Sequence, residues 1–244
     1  MPHGSEEAGS HRHNLLTSSA VEVVRWRSLE SRYCSVSGRH GGLNDGHYCA
    51  NISIGKVIVR AMLSTIALLS SSRRLGNTGQ LVDRIASVLN VEVVDLARQR
   101  MSSYDYDHLN RKDDFEPLMK HVLAHDQIIF ATPIYWYAVS PAMKVFLDRI
   151  SDLLELPDLL SEGRRLRGKR AYVVCTSIGN DPSVAFVDAF RETFDYLGMH
   201  LGGVMHVNCQ DGYLPAVHDS EALKFAALVR EASPDRTTSG ATKR

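Results

Sequence analysis

Three segments of the sequence concentrate side chains that can bind a ligand, and the first is rich in hydroxyl groups. It covers residues 70–78, where three serines, two arginines, a glycine, an asparagine and a threonine follow an apolar run. Backbone N–H groups at the start of a helix, together with Ser, Thr and Arg side chains, commonly bind phosphate. The glycine patterns of NTPases and dinucleotide-binding proteins are absent. The segment is consistent either with a phosphate site or with a solvated turn in which Thr78 is the helix N-cap.

The second segment, residues 132–140, contains three consecutive aromatic side chains. Tyr135, Trp136 and Tyr137 follow Pro133, whose ring restricts the backbone. Exposed aromatic surface generally serves binding, and flat ring faces suit a planar heteroaromatic ligand. The alternative is that these rings pack under the following helix or against another subunit, which does not exclude ligand binding.

The third segment, residues 176–181, combines hydroxyl and amide side chains with a glycine. Gly179 allows the backbone to approach a ligand closely. The polar groups around it, including the hydroxyl of Ser177, are suited to bonding a ring edge or a polyol chain. This segment alone does not specify a ligand.

Alternating strands and helices are expected to bring the three segments together. Apolar runs predict strands near residues 65–71, 91–96, 127–132, 170–176 and 201–208. Amphipathic stretches predict helices over residues 81–89, 115–123 with Asp114 as N-cap, 140–154, 186–197 ended by Gly198, and 221–232. This alternation predicts an α/β fold, a doubly wound five-stranded parallel sheet with helices on both faces. Ligands of such sheets bind beyond the carboxyl ends of the strands, where all three segments fall.

The overall composition excludes several classes of protein. The 28 basic and 28 acidic residues leave no net charge, so the basic excess of a nucleic-acid-binding protein is missing. The longest apolar stretch, residues 57–69, is interrupted by Arg60 and is shorter than the roughly 20 residues of a membrane span. No signal peptide is recognisable, and we expect a cytoplasmic protein with no nucleic-acid or membrane partner. The cysteines are spaced too widely for a metal site and are expected to be reduced thiols: Cys34, Cys49, Cys175 and Cys209.

The chain divides into three parts by its patterning. Residues 1–61 show no sustained periodicity and are rich in Ser, Gly, His and Arg. We expect them to be a disordered extension or a misassigned start, the alternative being a small targeting or regulatory arm. His11 and His13 in this part are expected to be solvated and not to bind a metal. Residues 62–232 form the predicted domain, and residues 233–244 a disordered tail.

Two of the segments together resemble a known family. SSSRRLGNT follows the first predicted strand, and ATPIYWY followed by SPAMKVFLDR follows the third. These motifs closely resemble the flavodoxin-like NAD(P)H-dependent FMN reductases and related quinone reductases, over roughly residues 63–232. The resemblance implies an FMN-binding oxidoreductase that forms a homodimer or homotetramer and has strand order 2-1-3-4-5.

The resemblance also implies a set of FMN-binding residues in all three segments. It assigns the phosphate to Ser70, Ser72, Arg73, Asn77 and Thr78. It assigns the ring to Pro133, Ile134, Tyr135, Trp136 and Tyr137, with Ser177 to Gly179 completing the pocket. Some relatives hold an iron–sulfur cluster after the second strand, but residues 101–107 contain no cysteine, so no cluster is expected.

The implied activity is hydride transfer from NAD(P)H through the flavin to a quinone, a flavin or another small acceptor. Because the flavin carries this chemistry, no catalytic side chain and no metal are expected. One alternative is a non-enzymatic flavodoxin-like electron carrier or flavin-sensing interaction protein, although such carriers are typically acidic and this chain is neutral. Another is a scaffold that binds no flavin.

The sequence allows more than one role for each of five further residues. Lys144 either contacts a phosphate or pyridine cofactor or is a solvated helix residue. Asp148 and Arg149 are predicted to form an ion pair or a dimer contact. Tyr104 and Tyr106 either lie over the flavin or cover the edge of the sheet.

Overall fold

The computed structural model describes residues 63–232. The predictions for residues 1–61 and 233–244, including those for His11, His13, Cys34 and Cys49, lie outside the described residues. None of the helices in the described part is long and apolar enough to cross a membrane.

A five-stranded sheet forms the centre of the described part. Its strands are β1 (Thr65–Leu69), β2 (Glu92–Asp95), β3 (Gln127–Pro133), β4 (Arg170–Ser177) and β5 (His200–Asn208). Their spatial order is β2-β1-β3-β4-β5, and every neighbouring pair is parallel. All seven residues of β3 are buried, as expected for a central strand that helices cover on both faces. The predicted α/β fold and strand order are confirmed.

Helices pack on both faces of this sheet. They are α1 (Asn77–Leu89), α2 (Phe115–Leu123), α3 (Pro141–Arg149), α4 (Asp152–Glu155), α5 (Leu160–Arg164), α6 (Val184–Leu197) and α7 (Pro215–Glu231), with a 3₁₀ helix at Leu96–Arg98. Alternate residues of β1 face opposite sides, so that Ile66 and Leu68 join one apolar cluster and Ala67 and Leu69 the other. The core therefore consists of two layers separated by the sheet.

The predicted helix over residues 140–154 is wrong, because the structure ends α3 at Arg149 and starts α4 at Asp152. The guanidinium of Arg149 is fully buried and its Nε donates to Asp152 Oδ2 over 2.7 Å. Its Nη1 donates to Asp113 Oδ2 over 2.5 Å and to the Ser102 carbonyl over 3.1 Å. Apolar residues continue at helical spacing into α4, where Leu153 is buried, so the sequence pattern does not reveal the break.

The starts of α1 and α7 and the cap of α2 also differ from the sequence interpretation, and α1 begins at Asn77 and not at residue 81. Helix α7 begins at Pro215 and not at residue 221, and the Leu214 N–H donates to His218 Nδ1 over 3.0 Å at this start. Asp114 stands at the N-cap of α2 as predicted, but its side chain makes no capping bond. The neighbouring Asp113 Oδ1 instead accepts the Phe115 N–H over 3.0 Å.

The two cysteines of the described part are buried and are not in a disulfide. Cys175 lies in β4, where burial raises the pKa of its thiol to about 12, and burial also raises the pKa of Cys209. Both thiols are therefore protonated near neutral pH and pack as small apolar groups.

Candidate functional site

Three loops follow the carboxyl ends of β1, β3 and β4, and the segments singled out in the sequence consist of these loops and the adjoining ends of α1, β3 and β4. Loop 1 covers residues 70–76, loop 2 residues 134–140 and loop 3 residues 178–183. Because β1, β3 and β4 are adjacent and parallel, the three loops emerge at one edge of the sheet. The structure therefore places all three predicted segments at the same edge.

Buried hydroxyl groups join loop 1 to loop 2. Ser70 Oγ lies 2.6 Å from Ser140 Oγ, and Ser140 Oγ donates to the Ser70 carbonyl over 3.0 Å. Thr132 Oγ1 donates to Ser140 Oγ and accepts the Ser140 N–H, each over 3.0 Å. All three residues are buried, so the two loops share a single network of hydrogen bonds at their base.

A second buried pair joins the start of α1 to the end of β4. Thr78 Oγ1 lies 2.7 Å from Thr176 Oγ1, and the Thr176 carbonyl accepts the Ile134 N–H of loop 2 over 2.9 Å. Asn77 Oδ1 accepts the Tyr213 N–H over 3.1 Å, which ties the same helix end to the chain after β5. Thr78 is thus a buried contact between elements, and the interpretation of Thr78 as a solvated N-cap is wrong, since Gly76 holds that position.

The two arginines of loop 1 differ in their partners. Arg74 donates to both carboxylate oxygens of Asp83 over 2.8 and 2.7 Å, and this hydrogen bonding raises the pKa of Arg74. Arg73 and Ser72 are exposed, and within residues 63–232 the Arg73 guanidinium forms neither an ion pair nor a hydrogen bond. Arg73 is therefore the loop 1 cation that remains available to an anion.

In the described part of the chain, no side chain caps the N-terminus of α1. Its N-cap residue is Gly76, which leaves N–H groups of the first turn without the usual side-chain acceptor. Loop 1 folds tightly over this turn, because a Cβ at Gly79 would lie 1.8 Å from the Arg74 carbonyl oxygen. Uncapped amides, the positive end of the helix dipole and a free guanidinium fit the phosphate group of a nucleotide.

The aromatic residues of loop 2 form a strained and exposed turn. Tyr135 N–H donates to the Ala138 carbonyl over 2.9 Å, and Ala138 N–H donates back over 3.0 Å. The two central residues, Trp136 and Tyr137, have φ angles of 48° and 63°, which non-glycine residues rarely adopt. Their side chains are 94% and 73% exposed. Strain of this kind often marks a functional position.

Loop 3 is held against β5 by a residue that the sequence interpretation missed. Ser177 Oγ accepts the Gly179 N–H over 3.1 Å and lies 2.8 Å from His206 Nε2. Burial lowers the pKa of His206, and the charge of Asp181 opposes this change. His206 lies inside a predicted strand, where a lone histidine gives no sign of a functional contact.

The residues whose roles the sequence left undecided have specific partners in the structure. Lys144 Nζ donates to Asp148 over 2.5 and 2.8 Å on the exposed side of α3, which matches the solvated alternative. The predicted pair between Asp148 and Arg149 is wrong, because the Arg149 guanidinium turns inward to Asp113 and Asp152.

Tyr104 and Tyr106 belong to the long segment between β2 and α2. Tyr104 donates its hydroxyl to Glu155 Oε2 over 2.6 Å, which raises the pKa of Tyr104 to about 12. Its ring centroid lies 5.0 Å from that of Tyr106 in an edge-to-face arrangement. These contacts place both rings beside α4.

Comparison with known proteins identifies the family. The family model of the NADPH-dependent FMN reductases matches residues 63–211, which is more than half of the chain. The chain belongs to this family. It is 27% identical over 180 residues to a Bacillus subtilis protein named NAD(P)H-dependent FMN-containing oxidoreductase YwqN, an alignment that covers 69% of this chain and 97% of the relative.

Solved structures share the fold of the FMN reductase domain. The Trp repressor binding protein from Bacillus subtilis is 24% identical with a TM-score of 0.55, over 70% of this chain and 99% of that one. An FMN-dependent NADH-azoreductase from Bacillus anthracis is 8% identical with a TM-score of 0.52, over 69% and 100% of the two chains.

As a member of the FMN reductase family, the protein is an FMN-dependent oxidoreductase that uses NAD(P)H. The predicted enzyme class and cofactors are therefore confirmed.

Proposed function

We propose that this FMN reductase binds FMN across the three loops and passes hydride from NAD(P)H through the flavin to a small acceptor such as a quinone or a free flavin. The supporting observation is that one edge of the sheet combines a helix N-terminus and an arginine, which find no capping side chain and no ionic partner within residues 63–232, with an exposed aromatic turn. A phosphate and a planar ring joined in one molecule would use all three features.

The phosphate end of the proposed site lies at loop 1 and the first turn of α1. Ser72 and Arg73 are exposed there, so their polar groups can reach a bound anion. Asn77 is half-buried and its amide bonds the Tyr213 N–H and the Cys209 carbonyl, which leaves the second Nδ2 proton for an anion. Ser70 and Thr78 are buried and bonded to other hydroxyls, and we assign them the task of shaping the loop around the phosphate. Arg73 would offset the phosphate charge, because Arg74 is already paired with Asp83.

The ring end of the proposed site lies between loops 2 and 3. Tyr135, Trp136 and Tyr137 form the exposed turn after β3, while Ser177 ends the neighbouring strand β4 and Gly179 follows it in loop 3. Two further residues at the base of loop 2, Pro133 and Ile134, would border the ring. This arrangement supplies flat apolar surface on one side and polar groups on the other.

The residues of the chain bind and orient, and the cofactor supplies the chemistry. When bound, FMN provides hydride transfer, for which the protein needs no acid or base of its own. Trp136 and Tyr137 would exclude water from the reacting face and stack against a flat acceptor. We assign no catalytic side chain.

We also propose that the protein acts in the cytoplasm as a homodimer or homotetramer. The exposed rings of Trp136 and Tyr137 support an association of subunits near the site, because a second subunit that covers large apolar side chains removes them from water. Size-exclusion chromatography with light scattering tests the oligomeric state directly.

The residue assignment is tested by substituting the free arginine. Arg73→Ala removes a charge-assisted contact with a phosphate, worth about 1.5–3 kcal/mol, and should raise the Kd for FMN at least tenfold. Arg164→Ala is the matched control, because Arg164 is an exposed arginine in α5, before the amino end of β4. The Kd is measured by quenching of FMN fluorescence.

Two results would contradict the proposal. Purified protein that is colourless and does not bind added FMN would refute the binding site as a whole, whereas equal Kd values for the two variants would remove Arg73 from it. NADPH oxidation with a quinone or free flavin as acceptor completes the test, because an electron carrier would bind FMN without such turnover.

A further inference from the structure

A hydrogen bond between β5 and the last residue of β4 has a chemical consequence for the site. The Ser177 hydroxyl has one proton and two lone pairs. One lone pair accepts the Gly179 N–H over 3.1 Å, which also removes that amide as a donor to a ligand. His206 Nε2, at 2.8 Å, either accepts the Ser177 proton or donates a proton to the second lone pair.

These two arrangements present opposite properties to a ligand. If His206 accepts, the Ser177 proton is used internally and neither Ser177 nor Gly179 offers a donor. If His206 donates, both lone pairs are occupied and the Ser177 O–H is free to donate into the pocket. The heteroatom edge of a flavin ring consists mainly of hydrogen-bond acceptors, so the second arrangement is complementary to it.

We propose that His206 is a positioning residue of the FMN site: its Nε2–H donates to Ser177 Oγ and thereby directs the Ser177 O–H toward the acceptor edge of the flavin ring. This inference rests on the proposed placement of FMN between loops 2 and 3. Burial, which lowers the pKa of His206, favours a neutral imidazole with a single N–H that can reside on Nε2. His206 does not touch the ligand and acts only through Ser177.

Loop 3 has other attachments to the end of β5, so loss of the His206 contact should leave its backbone in place. The Cys209 N–H donates to the Ser177 carbonyl over 2.7 Å, and Asn208 Nδ2 donates to Asn180 Oδ1 over 3.3 Å. A substitution at His206 therefore changes the direction of one hydroxyl proton more than it changes the fold.

The proposed donor should favour the reduced form of the cofactor. Reduction converts ring N5 into an N–H donor, but it adds electron density to N1 and the carbonyl oxygens of the ring, which strengthens a hydrogen bond donated to those atoms. Loss of this bond should lower the affinity for reduced FMN relative to oxidised FMN about tenfold. For a two-electron couple, tenfold corresponds to a midpoint potential about 30 mV more negative.

The experiment compares four variants of the full chain. His206→Phe and Ser177→Ala should each shift the midpoint potential of bound FMN to more negative values by similar amounts. His206→Gln should restore most of the potential, because its side-chain amide can donate to Ser177 Oγ. His200→Phe is the control, since His200 is an exposed histidine at the other end of β5. Potentials are measured spectrophotometrically against reference dyes, and the Kd of the apoprotein for oxidised FMN by titration.

The results separate this inference from the proposed function. Wild-type protein that fails to bind FMN would overturn both. Wild-type protein that binds FMN, with the potential of His206→Phe unchanged or shifted to more positive values, would overturn only the role of His206. A shift of the potential in His206→Gln as large as that in His206→Phe would also overturn the role of His206. If His206→Phe fails to fold, an unchanged potential in Ser177→Ala or a strongly shifted potential in His206→Gln would still overturn this role.

Discussion

Trp136→Gly should stabilise the apoprotein while weakening the site, because the native residue holds a backbone conformation that suits glycine. Trp136 has a φ of 48° at the first central position of the loop 2 turn. Its side chain is 94% exposed, so its removal forfeits almost no buried surface. Replacement by glycine should therefore relieve backbone strain at little cost in packing.

The expected magnitude follows from two opposing effects. The left-handed conformation costs a residue with a Cβ about 1–2 kcal/mol, and glycine removes that cost. Glycine in turn makes the unfolded chain more flexible, which destabilises the folded state by about 0.5–1 kcal/mol. The net gain lies between zero and about 1.5 kcal/mol, and its midpoint of about 0.75 kcal/mol is equivalent to a rise in Tm of about 1.5–3 °C for a domain of this size.

The matched comparison is Trp136→Ala, which removes the indole and keeps the Cβ. Both variants should lose affinity for FMN or for a flat acceptor, but only the glycine variant should gain stability. Thermal unfolding is followed by circular dichroism on apoprotein, because bound FMN would add its own stabilisation. If Trp136→Gly melts at or below the temperature of Trp136→Ala, the turn stores no strain and the reasoning fails.

The buried guanidinium of α3 supports two further predictions. Arg149→Met should lower the free energy of unfolding by about 3–5 kcal/mol, because it leaves Asp113 and Asp152 without their shared cation. Lys144→Met breaks an exposed pair with Asp148 and should lower the free energy of unfolding by less than about 1 kcal/mol. Urea unfolding measures both values, and similar losses would refute the structural role of the buried pair. Burial raises the pKa of Asp113, but hydrogen bonds from Arg149 and two backbone amides outweigh this and hold it below its ordinary value. The stabilisation is therefore present above about pH 4 and is lost as the pH falls through the lowered pKa. Asp113→Asn should be less stable than wild type near neutral pH, and the difference should shrink in acid; a constant difference across this range would contradict the assignment.

The sequence contains enough information to predict the sheet and the edge at which the three loops of the candidate site meet. Continuous apolar runs predict buried parallel strands, and the strand order of such a fold determines which loops meet at its edge. The motifs around Arg73 and Trp136 carry the resemblance to the FMN reductase family, to which the chain belongs. These are local patterns of residue type and spacing, and a single sequence shows them directly.

The remaining features depend on partners that lie far apart in the chain. Ser70 meets Ser140 and Thr78 meets Thr176 across 70 and 98 positions, so no window of sequence shows that these hydroxyls are internal. The inward direction of Arg149 has the same origin, because its carboxylate partner Asp113 lies 36 positions earlier. The left-handed turn in loop 2 contains no glycine or asparagine and so lacks the residues from which such a turn is predicted.

The hydroxyl pairs beneath the loops also determine when the site loses its conformational freedom. Ser70 and Ser140 fix loop 1 against loop 2, and Thr78 and Thr176 fix α1 against β4, through contacts internal to the chain. The entropy of ordering these loops is therefore lost when the domain folds and not when a ligand arrives. The site is preorganised, and ligand association should occur without the large negative change in heat capacity that accompanies coupled folding.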